Sequence, residues 1–513
     1  MKGLLAVTLC AALLAAGCLS GDDATTAAVD GVGALSTLGV VHGAAGVVLR
    51  APGDLVQAAG GQYHTGRPAS EPTIAVTSDG SIFITGSSRN PTCAVAGGCP
   101  VVPYANFNAG PTIMRSMDKG QSWEDVFPKL PTGDSYKLRT WDPYVLVDRD
   151  TDRVFMDDIY PISCGFLSYT DDLGASWMHN PYSCGNSQVN DHQTLVTAKP
   201  RVLTTAGYPN LVYRCVNNLF YAACAVSLNG GLTFLPQVPV GPTLERNGCA
   251  AITGHLEADA EGRVYLGAPC GPGTDYPGVM VTEDDGRTWR MSLVSDAHEL
   301  DGHDVDLATD EAGNVYAFFL SGALPYLSVS TDHGATWSEP QMVAAPDVTM
   351  ANFNAIAAGA PGKVAFAYVG TTMPDAPRLP RAQCGLLPAF PCTEPEEWAA
   401  ATWNAYVGVI EDALAPELVI QTVVANDPAD PIARGACADR CHGMTDFIDI
   451  DIDAEGRPWA SFVDVCIAEC VTDASVPFDG NLGFAATLVR GPALRGELRE
   501  LPVLAPPPLR ASG

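Results

Sequence analysis

Short apolar runs alternate with polar turns along this chain, and the runs come in pairs. The segments "TIAVTSDGSIFITG" (73–86), "YVLVDRDTDRVFMDD" (144–158), "HLEADAEGRVYLGA" (255–268), "DVDLATDEAGNVYAFF" (304–319) and "FIDIDIDAEGRPWASF" (447–462) each read as strand, Asp/Gly turn, strand. Weaker copies are "QTLVTAKPRVLTTAG" (193–207) and "AIAAGAPGKVAFAYVG" (355–370).

A second pattern follows these pairs at a distance. Ser116-x-Asp118-x-Gly120-x-Ser122-Trp123 returns with Thr170, Asp172, Gly174, Ser176 and Trp177, with Thr282, Asp284, Gly286, Thr288 and Trp289, and with Ser330, Asp332, Gly334, Thr336 and Trp337. A looser copy has Ser227, Asn229, Gly231, Thr233 and Phe234. The Asp is placed to accept backbone N–H bonds, the Gly to supply a turn conformation other residues resist, and the Trp to plug the next strand into the core. A catalytic site is needed once, so a motif repeated in module after module reads as structure. Repeats at this spacing point to a propeller or a solenoid.

Each module supplies two strands, a variable loop, a third strand, the octapeptide turn and a fourth strand. The expected fold is all-β, a single propeller of seven four-stranded blades, with six as the alternative count. The last two modules carry "YVGVIEDALAPELVI" (406–420) and "LGFAATLVRGPALRGEL" (482–498) where the octapeptide would stand. "GVVLRA" (46–51) is the candidate for a ring-closing strand.

The octapeptide resembles the Asp-box, or BNR repeat, of the sialidase superfamily, over roughly residues 70 to 500. The resemblance implies a propeller that recognises or cleaves glycans. Sialidases of that family open their first inner strand with Arg-x-Pro, one of three arginines that clamp the substrate carboxylate, and carry a Tyr–Glu nucleophile and an Asp acid. Here Ser70-Glu71-Pro72 keeps the proline and has Ser70 at the arginine position. Arg89 stands where a second family arginine is common, and Arg67, Arg139, Arg246, Arg378, Arg381, Arg434 and Arg440 fall in loops of the same face. No Tyr–Glu pair is assignable to the nucleophile role. Glu71 would repel a sialic carboxylate, and a hydroxyl does not replace bidentate arginine recognition.

The chain opens "MKGLLAVTLCAALLAAGC", a secretory signal whose apolar run is short for a membrane span. Its end, Leu14 to Cys18, resembles the bacterial lipobox, although Ala15 stands where Leu is most frequent. The expectation is a lipoprotein-type signal over 1–17, lipidation at Cys18, a flexible tether over 18–38 and the propeller over 39–513. An ordinary cleaved signal is the alternative. The protein is then extracytoplasmic, held by lipid alone at a bacterial cell envelope, or secreted.

With 58 acidic and 28 basic residues the net charge of −30 argues against nucleic acid as a partner. Of the 16 cysteines, those outside the signal and lipidation positions number 14, an even count that fits up to seven disulfides. Cys437, Cys441, Cys466 and Cys470 allow a four-sulfur zinc site as the alternative.

Strand order sorts the loops into two faces. The Asp/Gly and octapeptide turns share one; the longer loops, with the cysteines in or beside them, share the other. The residues just before each inner strand should ring the axis on that second face: Glu71, Asp142, Asp191 with His192, His255, His303 with Asp304, Asn352 with Asn354, and Asp446. So many acids at one mouth should raise one another's pKa. Glu71, Asp142, Asp191 and Asp304 are the catalytic candidates. No resident cofactor is expected, a divalent cation is admissible, and the three histidines with Asp304 are a second metal option. Segment 371–404, with Cys384 and Cys392, reads as a rim or lid, or as a plain surface excursion.

The leading expectation is recognition of a glycan or an extracellular protein at this mouth. The alternatives are a glycoside hydrolase, including a divergent sialidase, and a non-catalytic adhesive scaffold.

Overall fold

The computed structural model describes residues 55–87, 112–127, 141–159, 165–180, 190–218, 221–241, 248–302, 304–376, 396–435, 446–476 and 478–508, with the backbone of 39–42. These residues form seven antiparallel sheets in a closed ring. Blade one contains Ser70–Val76, Ile82–Ser87, Thr112–Ser116 and Glu124–Asp125, from the axis outward. The inner strands of blades two to seven are Trp141–Asp148, Asp191–Ala198, Leu256–Ala258, Val305–Thr309, Met350–Ala358 and Asp449–Ile452. Each inner strand packs beside the next, and the seventh returns to the first.

The ring closes with Ala59–Pro68 as the outer strand of blade seven, paired with Leu482–Arg490. The expected closing segment 46–51 lies outside the described residues. Gly39–His42 adds a strand to the outer edge of blade six, pairing with Leu418–Val424.

The core is divided among the seams between blades. Ala75, Phe83 and Ile113 of blade one pack on Val145, Val154 and Met156 of blade two, and one such cluster fills each of the seven seams. Every sheet therefore buries both faces, which is why second strands such as Val315–Ser321 and Val364–Thr371 are apolar almost without interruption.

The octapeptides behave as the spacing predicts. Asp332 accepts from the amides of Ala335 and Thr336 at 3.1 and 2.8 Å and from the hydroxyls of Ser330 and Thr336 at 2.8 and 2.6 Å. Gly334 (φ 74°) donates to the Ser330 hydroxyl at 2.8 Å. The same bonds recur around Asp118, Asp172 and Asp284, and around Asn229 in the looser copy. These bonds, led by the Thr336 hydroxyl, hold the Asp332 carboxyl down to about 2. The four octapeptide tryptophans pack, partly buried, against the core clusters of the seams. Trp177 and Trp337 are half-buried at the seams, where their indole N–H groups reach Val126 O and Ser292 Oγ of the preceding blade at 2.9 and 3.2 Å.

Candidate functional site

A strand beside the axis has one edge without a sheet partner, and its amides need acceptors. Side chains of the preceding blade supply them around the ring. Thr73 accepts from Val145 N at 2.8 Å, Thr194 from Leu256 N at 2.8 Å, Asp306 from Ile356 N at 2.8 Å, and Asp449 and Asp451 from Ile74 N and Val76 N at 3.0 and 2.9 Å. Glu257 takes the amide and hydroxyl of Thr309 at 3.3 and 2.9 Å. The polar residues within the inner strands are thus fasteners between blades.

At the mouth the same device acquires a strained backbone. In blades one, two, three and six the inner strand begins with a register shift. At it Glu71, Asp142, His192 and Phe353 adopt φ of 52, 49, 50 and 54°. Side-chain-bearing residues mostly avoid that region; the octapeptide turns enter it too, at Lys119, Leu173, Asp285 and His333, but within the inner strands these four residues use it at one point of the module, at the mouth. Glu71 Oε2 accepts from Asp142 N, and Asp142 Oδ2 from His192 N, each at 3.2 Å.

The structure brings together much of the expected ring. Oxygens of Glu71, Asp142 and Asp446 lie within 4.8 Å of one another. His192 Nε2 stands 3.9 Å from Asp304 Oδ1, and His255 Nδ1 4.0 Å from Asp449 Oδ1. Asp191 turns to its own blade, where Asn217 Nδ2 donates to it at 3.3 Å. Asn352 is buried, and its neighbour Asn354 donates to Phe318 O at 3.1 Å. His303 lies outside the described residues, as do Arg89, Arg139, Arg246, Arg378, Arg381 and Arg440.

Depth separates these residues. Glu71 is 0% exposed, and Asp142, His192 and His255 are buried as well, whereas Asp191, Asp304 and Asp446 keep partial exposure. The axis below the mouth is closed by aromatics: Phe447 meets the rings of His192 and His255 edge-on at 5.3 and 5.1 Å, and Tyr144 meets His255 at 4.9 Å. Burial pushes His255 down to about 4, with His192 beside it adding to the effect, so this ring is neutral at physiological pH.

Sequence reasoning passed over the acids one layer down. Burial raises Asp449 to about 8 and Glu257 to about 7, and it lifts Asp306 well above the carboxylate range, with Asp449 contributing. The signal was present, because Asp306 and Asp449 sit inside inner-strand runs where apolar residues are the rule, but nothing local marks them as neighbours.

Among the described residues no three arginines converge at the mouth. Arg67 is exposed on the outer strand of blade seven, Arg434 donates to the carbonyls of Cys470 and Val471 at 2.7 and 3.0 Å, and Arg214 is wholly buried beside Asp157. Among the described residues three disulfides pin this face: Cys215–Cys224, Cys249–Cys270 and Cys466–Cys470. The last removes two sulfurs from the four-cysteine zinc alternative, which is thereby overturned. The other eight of the paired-cysteine candidates lie outside the described residues. Among the described residues no helix is long and apolar enough to cross a membrane.

No protein-family model and no curated protein matches the chain. Among solved structures it is similar to a protein of unknown function from Dyadobacter fermentans, at 15% identity over 84% of this chain and 97% of that one, with a TM-score of 0.39. It is also similar to an intramolecular trans-sialidase from Ruminococcus gnavus, at 11% identity over 81% and 93% with a TM-score of 0.36. The Aleuria aurantia lectin matches at 8% identity over 59% and 91% with a TM-score of 0.38. The propeller is established by the chain's own seven sheets and does not depend on these likenesses.

Proposed function

We propose that the protein is an extracytoplasmic, Asp-box-type propeller that recognises a neutral or amine-bearing glycan at its acidic mouth. The observation that carries this reading is the layered mouth itself. Asp191, Asp304 and Asp446 keep exposure for hydrogen bonds to sugar hydroxyls, while Glu71, Asp142 and His192 stand behind them on a backbone held in the left-handed region. Carboxylates are good acceptors for hydroxyl and ammonium groups and repel the acid of a sialic sugar. Disulfide-pinned loops preorganise such a face. Display at a cell envelope, through lipid at Cys18, belongs to the same proposal, as does a divalent cation among Glu71, Asp142 and Asp446.

The second reading is a glycoside hydrolase. It draws on the separation of the Glu71, Asp142 and Asp446 oxygens, within 4.8 Å, close to the roughly 5 Å between the carboxylates of retaining enzymes.

The experiment incubates the chain with neutral, amine-bearing and sialylated glycans and reads captured and released sugars by mass spectrometry, beside Asp304→Ala. Capture of neutral or amine-bearing glycans that fails in the variant upholds recognition. Release that fails in the variant moves the assignment to hydrolysis. Capture confined to sialylated glycans, or no capture at all, removes the proposal.

A further inference from the structure

We infer that Arg214 is the positioning residue of the mouth: through Asp157 and Asn190 it clamps the turn that presents Asp191 and His192. The clamp gains its functional meaning from the glycan reading, since those two residues belong to the proposed site.

Arg214 lies in the second strand of blade three, Leu211–Asn217, and Asp157 in the second strand of blade two, Arg153–Ile159. Arg214 Nε donates to Asp157 Oδ2 at 2.5 Å, and both side chains are 0% exposed. Among the described residues it is the one ion pair with both partners wholly buried. Such a pair is a poor source of stability, because desolvation offsets the attraction and apolar residues of the same volume serve as well. Its placement is what needs a reason.

The remaining contacts supply one. Arg214 Nη1 donates to Asn190 Oδ1 at 3.1 Å. Three residues on, Gln193 Nε2 donates to the main-chain oxygens of Asp142 and Asp157, the latter at 3.3 Å. Asn190 and Gln193 bracket Asp191 and His192, and both brackets are tied to the blade-two frame that holds Asp157. Between them His192 sits at φ 50°, and its amide reaches Asp142 Oδ2 at 3.2 Å. A residue with a β-carbon stays in that region only where its surroundings over-determine it. A charged, geometrically rigid guanidinium does this better than an apolar contact, because its bonds have direction. The apolar seam of blades two and three would tolerate a small slide; the ion pair does not.

The test is hydrogen exchange read by mass spectrometry on the full chain, comparing segment 190–198 with segment 350–358. The second carries the equivalent left-handed residue, Phe353, in blade six and has no part in the clamp. In Arg214→Met, exchange over 190–198 should rise about tenfold or more while 350–358 keeps its wild-type rate. Arg214→Lys, which retains the charge without the fork, should fall between. Should Arg214→Met fail to fold, the double variant Asp157→Leu with Arg214→Leu replaces it, and the same local rise is expected. A rise in both segments together assigns the pair to general stability and overturns the clamp, as does no rise in either. Glycan capture is measured on the same variants and should fall with the local rise. If the wild-type chain captures no glycan, exchange alone decides, and a rise confined to 190–198 upholds the clamp while the glycan reading fails by itself.

Discussion

The two faces of this propeller solve the same problem in opposite ways. On the turn face each octapeptide satisfies itself: Asp118, Asp172, Asp284 and Asp332 bond within four residues of their own position, and the solution is copied from blade to blade. At the mouth the blades present different side chains, and several of these serve another blade: Glu71 holds Asp142, Asp142 holds His192, and His192 approaches Asp304 of blade five. Repetition is what stability needs, because seven similar sheets must tile a ring. Difference is what recognition needs, because a ligand is not sevenfold symmetric.

The largest effect expected from breaking this contrast is at the mouth. Asp304→Asn combined with Asp446→Asn should weaken glycan capture about a hundredfold, near 2.7 kcal/mol, and cost folding stability no more than the roughly 0.5–3 kcal/mol of ordinary substitutions. Titration binding measurements beside urea melts check both halves.

Next comes pH. Asp449 and Glu257, at about 8 and 7, and Asp306, raised by burial, bind protons in the folded state that the unfolded chain releases near pH 4. His255, kept neutral by burial, contributes with the opposite sign below about pH 6.5, but the three carboxyls outweigh it, so stability falls as pH rises from about 4 to 8 and then levels. Urea melts at pH 5 and pH 9 should differ by at least about 2 kcal/mol. Asp449→Asn with Glu257→Gln should flatten the slope; an unchanged slope would show that these carboxyls are not its source.

On the turn face, Asp332→Ala removes the acceptor of two amides and two hydroxyls. A loss of about 1–2 kcal/mol, the usual cost of an equivalent capping residue, is expected in denaturation, with glycan capture unaltered. Impaired capture would mean that the two faces communicate. The smallest effect sharpens the seam account: Thr73→Val leaves the buried Val145 amide without its acceptor and should cost about 1 kcal/mol, read as a shift in thermal midpoint without change in capture.

What the sequence alone determined is whatever local chemistry specifies. Ser330, Asp332, Gly334 and Thr336 bond among themselves, so their spacing announced the turn, and the paired strands counted the blades. The neighbourhood of Glu71, Asp142 and Asp446 was also readable, since each stands at one point of a repeating module. The tertiary structure decided what depends on partners far along the chain. Asp449 caps Ile74 across 375 positions, Ala59–Pro68 completes blade seven by pairing with Leu482–Arg490, and Glu71 lies buried behind Asp446. Hydrogen bonds within a turn, and the lowered carboxyl of Asp332 that they produce, are encoded by spacing, whereas burial, and with it the raised carboxyls of Asp449 and Glu257 and the lowered imidazole of His255, exists only once distant strands have come together to exclude water.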